Sequence, residues 1–311
     1  MLAAFESLLP VFMLMGLGFV LRWRSIIPAE LWRGVELLGY WVFFPALLAL
    51  TMIRADLASL PLAGIMLTMA ATYFTMAGLL ILFRKAILRR LAIGGPSFSS
   101  IFQSATRWNG FIALPILAKL HGEMGVALVA VVMGVLVPVA NFCAVYVVAQ
   151  NADARKLSTF ETLYLVFRNP FIWATAIGLV INLAGISIYD PVMTTLDMLG
   201  GAAIACGLLM VGAGLRADEI RRPSPAVWLG SVLKLFITPL FVTGWSLVFG
   251  IDGVAFLACI VCAAVPTAMS AYVLARQMGG DAPLIATTVT LQTAISFVSI
   301  PLFIFLAQTL R

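Results

Sequence analysis

A chain of 311 residues that is 63% hydrophobic and 10% charged, with a mean hydropathy of +1.10, lies outside the ordinary soluble globular classes. The net charge of +6 comes from basic residues scattered between apolar runs, where they act as topology signals, so nucleic acid is not an expected partner. Cys143, Cys206, Cys259 and Cys262 all fall inside apolar runs, which excludes a disulfide framework, and with one histidine in the chain the Cys259/Cys262 pair is not expected to hold a metal.

About 20 apolar residues suffice to cross a bilayer, and ten such spans are predicted: 3–21, 34–53, 61–83, 98–120, 124–149, 168–188, 193–214, 225–249, 253–275 and 283–309. The first has no basic leader and is expected to be retained. Arg22, Arg24 and Arg33, then Arg84, Lys85, Arg89 and Arg90, then Arg155, Lys156 and Arg168, then Arg216, Arg221 and Arg222, and finally Arg276 fall in alternate connections. Arg54, Lys119 and Arg311 fall on the other side. The expected placement is a cell inner (plasma) membrane, crossed many times, with the basic loops cytoplasmic and both termini outside.

The two halves repeat one another. Pro10, Gly18 and Val20 are matched by Pro170, Gly178 and Val180, and Glu36, Leu38 and Gly39 by Asp197, Leu199 and Gly200. Arg54-Ala55-Asp56 returns as Arg216-Ala217-Asp218, and Pro61 as Pro223. The repeats are read as 1–150 and 163–311. Five spans per repeat is an odd number, so the second enters from the opposite face, the inverted architecture of secondary transporters.

Span four is polar at its centre. Arg107 and Asn109 stand near its midpoint, Gly110 and Pro115 follow, and in span nine Ala264-Val265-Pro266 answers Ala113-Leu114-Pro115. A charge at the bilayer centre costs about 2.5 to 3.5 kcal/mol on insertion scales, which turns such residues toward a protein interior or an aqueous cavity. Breaks at equivalent places in two repeats point to a transporter's central site. Each second half-helix would then start near the midplane, offering free N–H donors and a partial positive charge. With Arg107, whose planar fork suits a carboxylate, this predicts an anion site.

Asn109, Thr267 and Ser270 would add neutral hydrogen bonds, Gln103 would line the entrance, and Asn141, Gln292, Thr293 and Ser296 would form the cavity wall. Hydroxyls in membrane helices also bond to their own backbone, a competing role for Thr267, Ser270, Thr293 and Ser296. Lys234, about two turns into span eight, has an inward role and a snorkelling role to choose between. Glu36 and Asp197 are assigned to the interface, and His121, beside Lys119, Gly122 and Glu123, to a short external turn.

Arg107-x-Asn109 followed by Gly110-Phe111-Ile112-Ala113-Leu114-Pro115 resembles the span-four motif of the auxin efflux carrier family, whose bacterial members include malonate and malate permeases. Lys234-Leu235-Phe236-Ile237-Thr238-Pro239 and the Pro266 break are also similar to that family. The resemblance implies an all-α, bile-acid-symporter-like fold, with spans one, two, six and seven as scaffold and spans three to five and eight to ten as a moving transport domain, within a homodimer in the lipid bilayer. It implies an elevator-type secondary transporter of small organic anions: mono- or dicarboxylates such as malonate or malate, or auxin-like aromatic carboxylates. The bile-acid sodium symporters hold sodium with a Glu-x-x-Gln pattern in span nine; this chain has Val265-Pro266-Thr267-Ala268-Met269-Ser270 there, which argues against that sodium site. Proton coupling, sodium coupling and uncoupled transport stay open, and no cofactor is expected. The alternatives are an ion-coupled carrier of the same fold for a bile-acid-like anion, or a membrane sensor. An enzyme is disfavoured, because the centre lacks a histidine or paired carboxylates.

Overall fold

The computed structural model describes residues 2–55, 61–151, 170–215 and 223–310. Everything regular among them is helical. Asp56, the second repeat's Arg216-Ala217-Asp218, and Arg155, Lys156, Arg168, Arg221 and Arg222 lie outside the described residues.

Among the described residues, six helical runs are long and apolar enough to cross a membrane: Glu30–Arg54, Leu62–Leu82, Gly95–Asn151, Asp190–Gly214, Pro225–Val248 and Ala282–Thr309. Shorter apolar helices cover Leu9–Trp23, Pro170–Leu183 and Gly253–Ala264. The 57-residue run Gly95–Asn151 is far longer than one crossing requires. It is interrupted at residues 107–109, and it turns at His121 and Gly122, where Gly122 has φ 56° and ψ −139°. That backbone conformation is open to glycine and strained for other residues, which places the turn where the sequence predicts it.

Proline shapes two other helices. Pro45 and Pro239 each follow a single π-helical turn, Gly39–Phe43 and Leu233–Ile237. A proline inside a helix lacks an N–H and crowds the carbonyl four residues back, and a π turn accommodates both. At the second turn both the backbone N–H and the hydroxyl of Thr238 donate to the Leu233 carbonyl, the hydroxyl at 2.9 Å.

The chain divides into two compact units. The first comprises Met1–Leu62, Gly110–Val135 and Phe167–Leu215. Its main helices are α1 (Leu2–Trp23), α2 (Ala29–Leu38), α3 (Phe44–Arg54), α8 (Pro170–Leu183) and α9 (Asp190–Gly214). Glycine lets their backbones meet: a Cβ on Gly18 would lie 2.1 Å from the Leu209 carbonyl oxygen, and one on Gly212 would lie 1.8 Å from that of Met15. Gly178 meets Ala49 in the same way, while Gly200 and Gly207 sit against Leu47 and Phe44. Gly200, Gly207 and Gly212 of α9 therefore serve close packing inside this unit. Tyr40, Phe44, Phe111 and Phe171 form an aromatic cluster, with the Phe44 and Phe111 rings 4.3 Å apart. Asn182 donates to the carbonyls of Ile53 and Ala55 at the end of α3, and Arg54 pairs with Asp197 through two bonds of 2.8 and 2.6 Å.

The second unit comprises Ala63–Asn109, Leu136–Val166 and Arg216–Arg311. It holds α4 (Leu62–Leu82), whose first residue belongs to the other unit, α5 (Arg84–Leu91), α6 (Gly95–Thr106) and the end of α7 (Gly110–Asn151). It also holds α10 (Pro225–Val232), α11 (Thr238–Val248), α12 (Gly253–Ala264), α13 (Ser270–Met278) and α14 (Ala282–Leu310). Asp281 ties its parts together: one carboxylate oxygen accepts from the Leu284 N–H at the start of α14, the other accepts from Ser97 at 2.8 Å, and its carbonyl accepts from Ser100.

Gly212→Ala is expected to lower the melting temperature of the detergent-purified protein by several degrees, since overpacking typically costs about 1 to 3 kcal/mol. Gly201→Ala, with nothing within 4 Å of the added Cβ, is expected to melt like wild type.

Candidate functional site

The second unit is organised around two helix ends. α6 stops at Thr106 and α12 stops at Ala264, and the residue after each takes the same extended conformation: Arg107 has φ −86° and ψ 157°, Val265 has φ −69° and ψ 150°. Each of these residues donates its N–H back into its helix, Arg107 to Gln103 and Val265 to Val261. For Val265 the cause is local, because the residue before a proline is driven out of the helical region and Pro266 follows. For span four no proline sits at the break. Pro115 lies within α7, in the first unit, so it is Arg107, and not the position before Pro115, that corresponds to Val265.

The two breaks are joined by a polar brace. The Gln292 amide accepts from the Thr267 N–H at 2.8 Å and donates to the carbonyls of Ser104 at 3.1 Å and Gly230 at 3.2 Å. The Thr267 hydroxyl also donates to Ser104, at 2.5 Å. All of these groups are buried, so each bond replaces one that water cannot supply. Gln292 and Thr267, expected from sequence to face the cavity, thus spend these donors and acceptors on holding the crossing together. Ser104 and Gly230 give no sequence signal for this role, since both act through backbone carbonyls. Gly230 leaves little room beside it, since a Cβ there would stand 3.2 Å from that of Ser104.

Beside this brace lies Arg107, 9% exposed. Its Nη2 donates to the Asn141 amide oxygen at 2.7 Å and to the Ser270 hydroxyl at 2.9 Å. Both partners are neutral, and among the described residues Arg107 makes no ion pair. Ser270 is the first residue of α13 and is exposed, and Asn141 is half-buried. Asn109 is buried two residues further on. The structure therefore gathers Arg107, Asn141 and Ser270 directly, with Pro266, Thr267 and Gln292 behind them.

Other expected residues take different places. Gln103 is wholly buried instead of lining an entrance, and among the described residues neither atom of its amide has a hydrogen-bond partner. Ser296 donates to the Thr293 carbonyl, and Thr293 to that of Val289, so both hydroxyls serve their own helix. Lys234 does not snorkel: it is 2% exposed and lines a small cavity with Tyr73.

Gln292→Ala is expected to lower the melting temperature markedly, because it strands the buried Thr267 N–H and removes a donor from two carbonyls, at about 1 to 3 kcal/mol for each group left unsatisfied. Ser296→Ala, which removes one bond within a helix, is expected to leave it nearly unchanged.

Compared with known proteins, the sequence matches the family described as "Membrane transport protein" over residues 3–304. It is 26% identical over 298 residues to an "Uncharacterized transporter" from Methanothermobacter thermautotrophicus, with 96% of each chain covered.

Proposed function

We propose, from the premise that this chain belongs to the membrane transport protein family of auxin-efflux-carrier type, that it is a secondary transporter of small organic anions carrying one or two carboxylates. The observation that supports this reading is Arg107: a buried guanidinium held by two neutral side chains, with no acid paired to it among the described residues. A cation kept in low dielectric without a counter-charge is costly, and an anionic cargo supplies the missing charge. Three of the five guanidinium N–H groups, those on Nε and Nη1, make no hydrogen bond among the described residues and are available to a carboxylate. Ser270 opens α13, whose N-terminal end adds a partial positive charge on the same side.

In this reading the ten spans form two inverted repeats, and Arg107 is the shared binding group for both access states. Spans three to five and eight to ten carry the cargo past spans one, two, six and seven, as rigid-body models of alternating access require. The protein works as a homodimer in the plasma membrane, with both termini outside.

The test is uptake by proteoliposomes together with thermal stabilisation by malonate, malate, lactate and aromatic carboxylates. One of these is expected to raise the melting temperature of wild type. Arg107→Gln is expected to weaken binding roughly ten- to a hundredfold, the equivalent of a charged hydrogen bond of about 1.5 to 3 kcal/mol, with insertion intact. Arg107→Lys, which keeps the charge and loses the fork, is expected to fall between. Equal uptake and affinity in all three proteins would refute the assignment.

A further inference from the structure

Lys234 is among the largest wholly buried side chains, and the anion site has no use for it. The residue sits in the π-helical turn ahead of Pro239. It lines a cavity inside the second unit together with Tyr73, Ala105, Thr106, Cys262 and Ala263. A buried ammonium needs a counter-charge. Lys234 makes no ion pair among the described residues, and the sequences of α4, α6, α10, α11, α12 and α14 contain no Asp or Glu. A carboxylate is therefore not what balances it from these helices.

The cavity wall supplies another source of negative potential. The last carbonyls of a helix lack intrahelical partners, and its C-terminal end carries roughly half a negative charge. In α6 the Gln103 carbonyl is taken by the Arg107 N–H, and the Ser104 carbonyl by Thr267 and Gln292; in α12 the Val261 carbonyl is taken by Val265. The residues beyond these, Ala105 and Thr106 at one end and Cys262 and Ala263 at the other, are the ones that line the cavity with Lys234. The Thr72 hydroxyl, also in its wall, has no hydrogen-bond partner among the described residues and can accept, and the Tyr73 hydroxyl stands beside it in the same wall. The C-terminal residues of two helices thus line one small space with the ammonium, and the negative potential of helix C-terminal ends favours a monovalent cation there.

We propose that Lys234 is a tethered cation: its ammonium fills the paired C-terminal ends of α6 and α12, in the place a freely bound monovalent cation would otherwise take, so that the crossing of the broken spans completes its charge without sodium. The inference rests on the packing of the second unit and on membership of a transporter family, and not on which cargo Arg107 binds. It makes Lys234 a positioning group for the two broken spans.

The experiment needs no cargo and uses the full-length protein in detergent, melted in choline, sodium or methylammonium chloride at equal ionic strength. Wild type is expected to melt at the same temperature in all three. Lys234→Ala is expected to melt several degrees lower in choline chloride and to recover at least half of that loss in methylammonium or sodium chloride, since a small cation can enter the vacated place whereas choline is too large. Lys234→Gln, which keeps most of the side-chain packing, serves if the alanine variant does not accumulate and is expected to respond in the same sense. Wild type that is itself stabilised by sodium over choline would overturn the proposal, because the place would then be open. Folded variants that respond to neither small cation would overturn it as well, because the cavity would then have no affinity for a cation.

Discussion

Backbone polarity inside an apolar slab is the constraint on which the second unit depends. Two helices end among buried residues, and each end leaves N–H and C=O groups that must be bonded within the protein. The Ser104 carbonyl accepts from both Thr267 and Gln292, and the same Gln292 amide holds the Thr267 N–H and reaches the Gly230 carbonyl. One glutamine from α14 thus satisfies groups on α6, α10 and the span-nine break. Without such a brace an unwound segment at this depth would cost several kcal/mol for each orphaned group.

Two cations sit around the braced breaks, and they are stabilised differently. Arg107 stands directly after the end of α6 and bonds to the neutral oxygens of Asn141 and of Ser270 at the start of α13, so helix ends of both signs act on it. Lys234 lies instead in a cavity walled by helix C-terminal residues, where the sign of the dipole suits an ammonium.

The first unit solves a different problem. Lipid chains are as apolar as leucine, so helices there gain from close approach more than from burial, and small residues at the contacts permit it. Gly18 and Gly212 bring α1 and α9 to backbone contact, and Gly178 does the same for α8 and α3. The glycine-rich character of α9 is explained by this packing within one unit.

The sequence by itself determined the membrane class, the positions of most helices, the turn at Gly122 and the place of the break before Pro266. These follow from composition, from apolar length and from the backbone rules of glycine and proline, all of which are local. It also marked Arg107, because a charge in the middle of an apolar stretch is costly wherever it lies. Only the tertiary structure decided what the polar side chains do. Gln292 and Asn141 are both amides in apolar helices, yet one braces three backbone groups and the other receives Arg107. Ser296 and Ser270 are both membrane-helix serines, yet one bonds to its own helix and the other meets the arginine. Lys234 was equally compatible with the interface and the interior until the π turn and the helices around it placed it inside. The physical reason is common to all of these: a hydrogen bond is directional and its partner lies far away in the chain, whereas apolar length and proline geometry act on neighbouring residues.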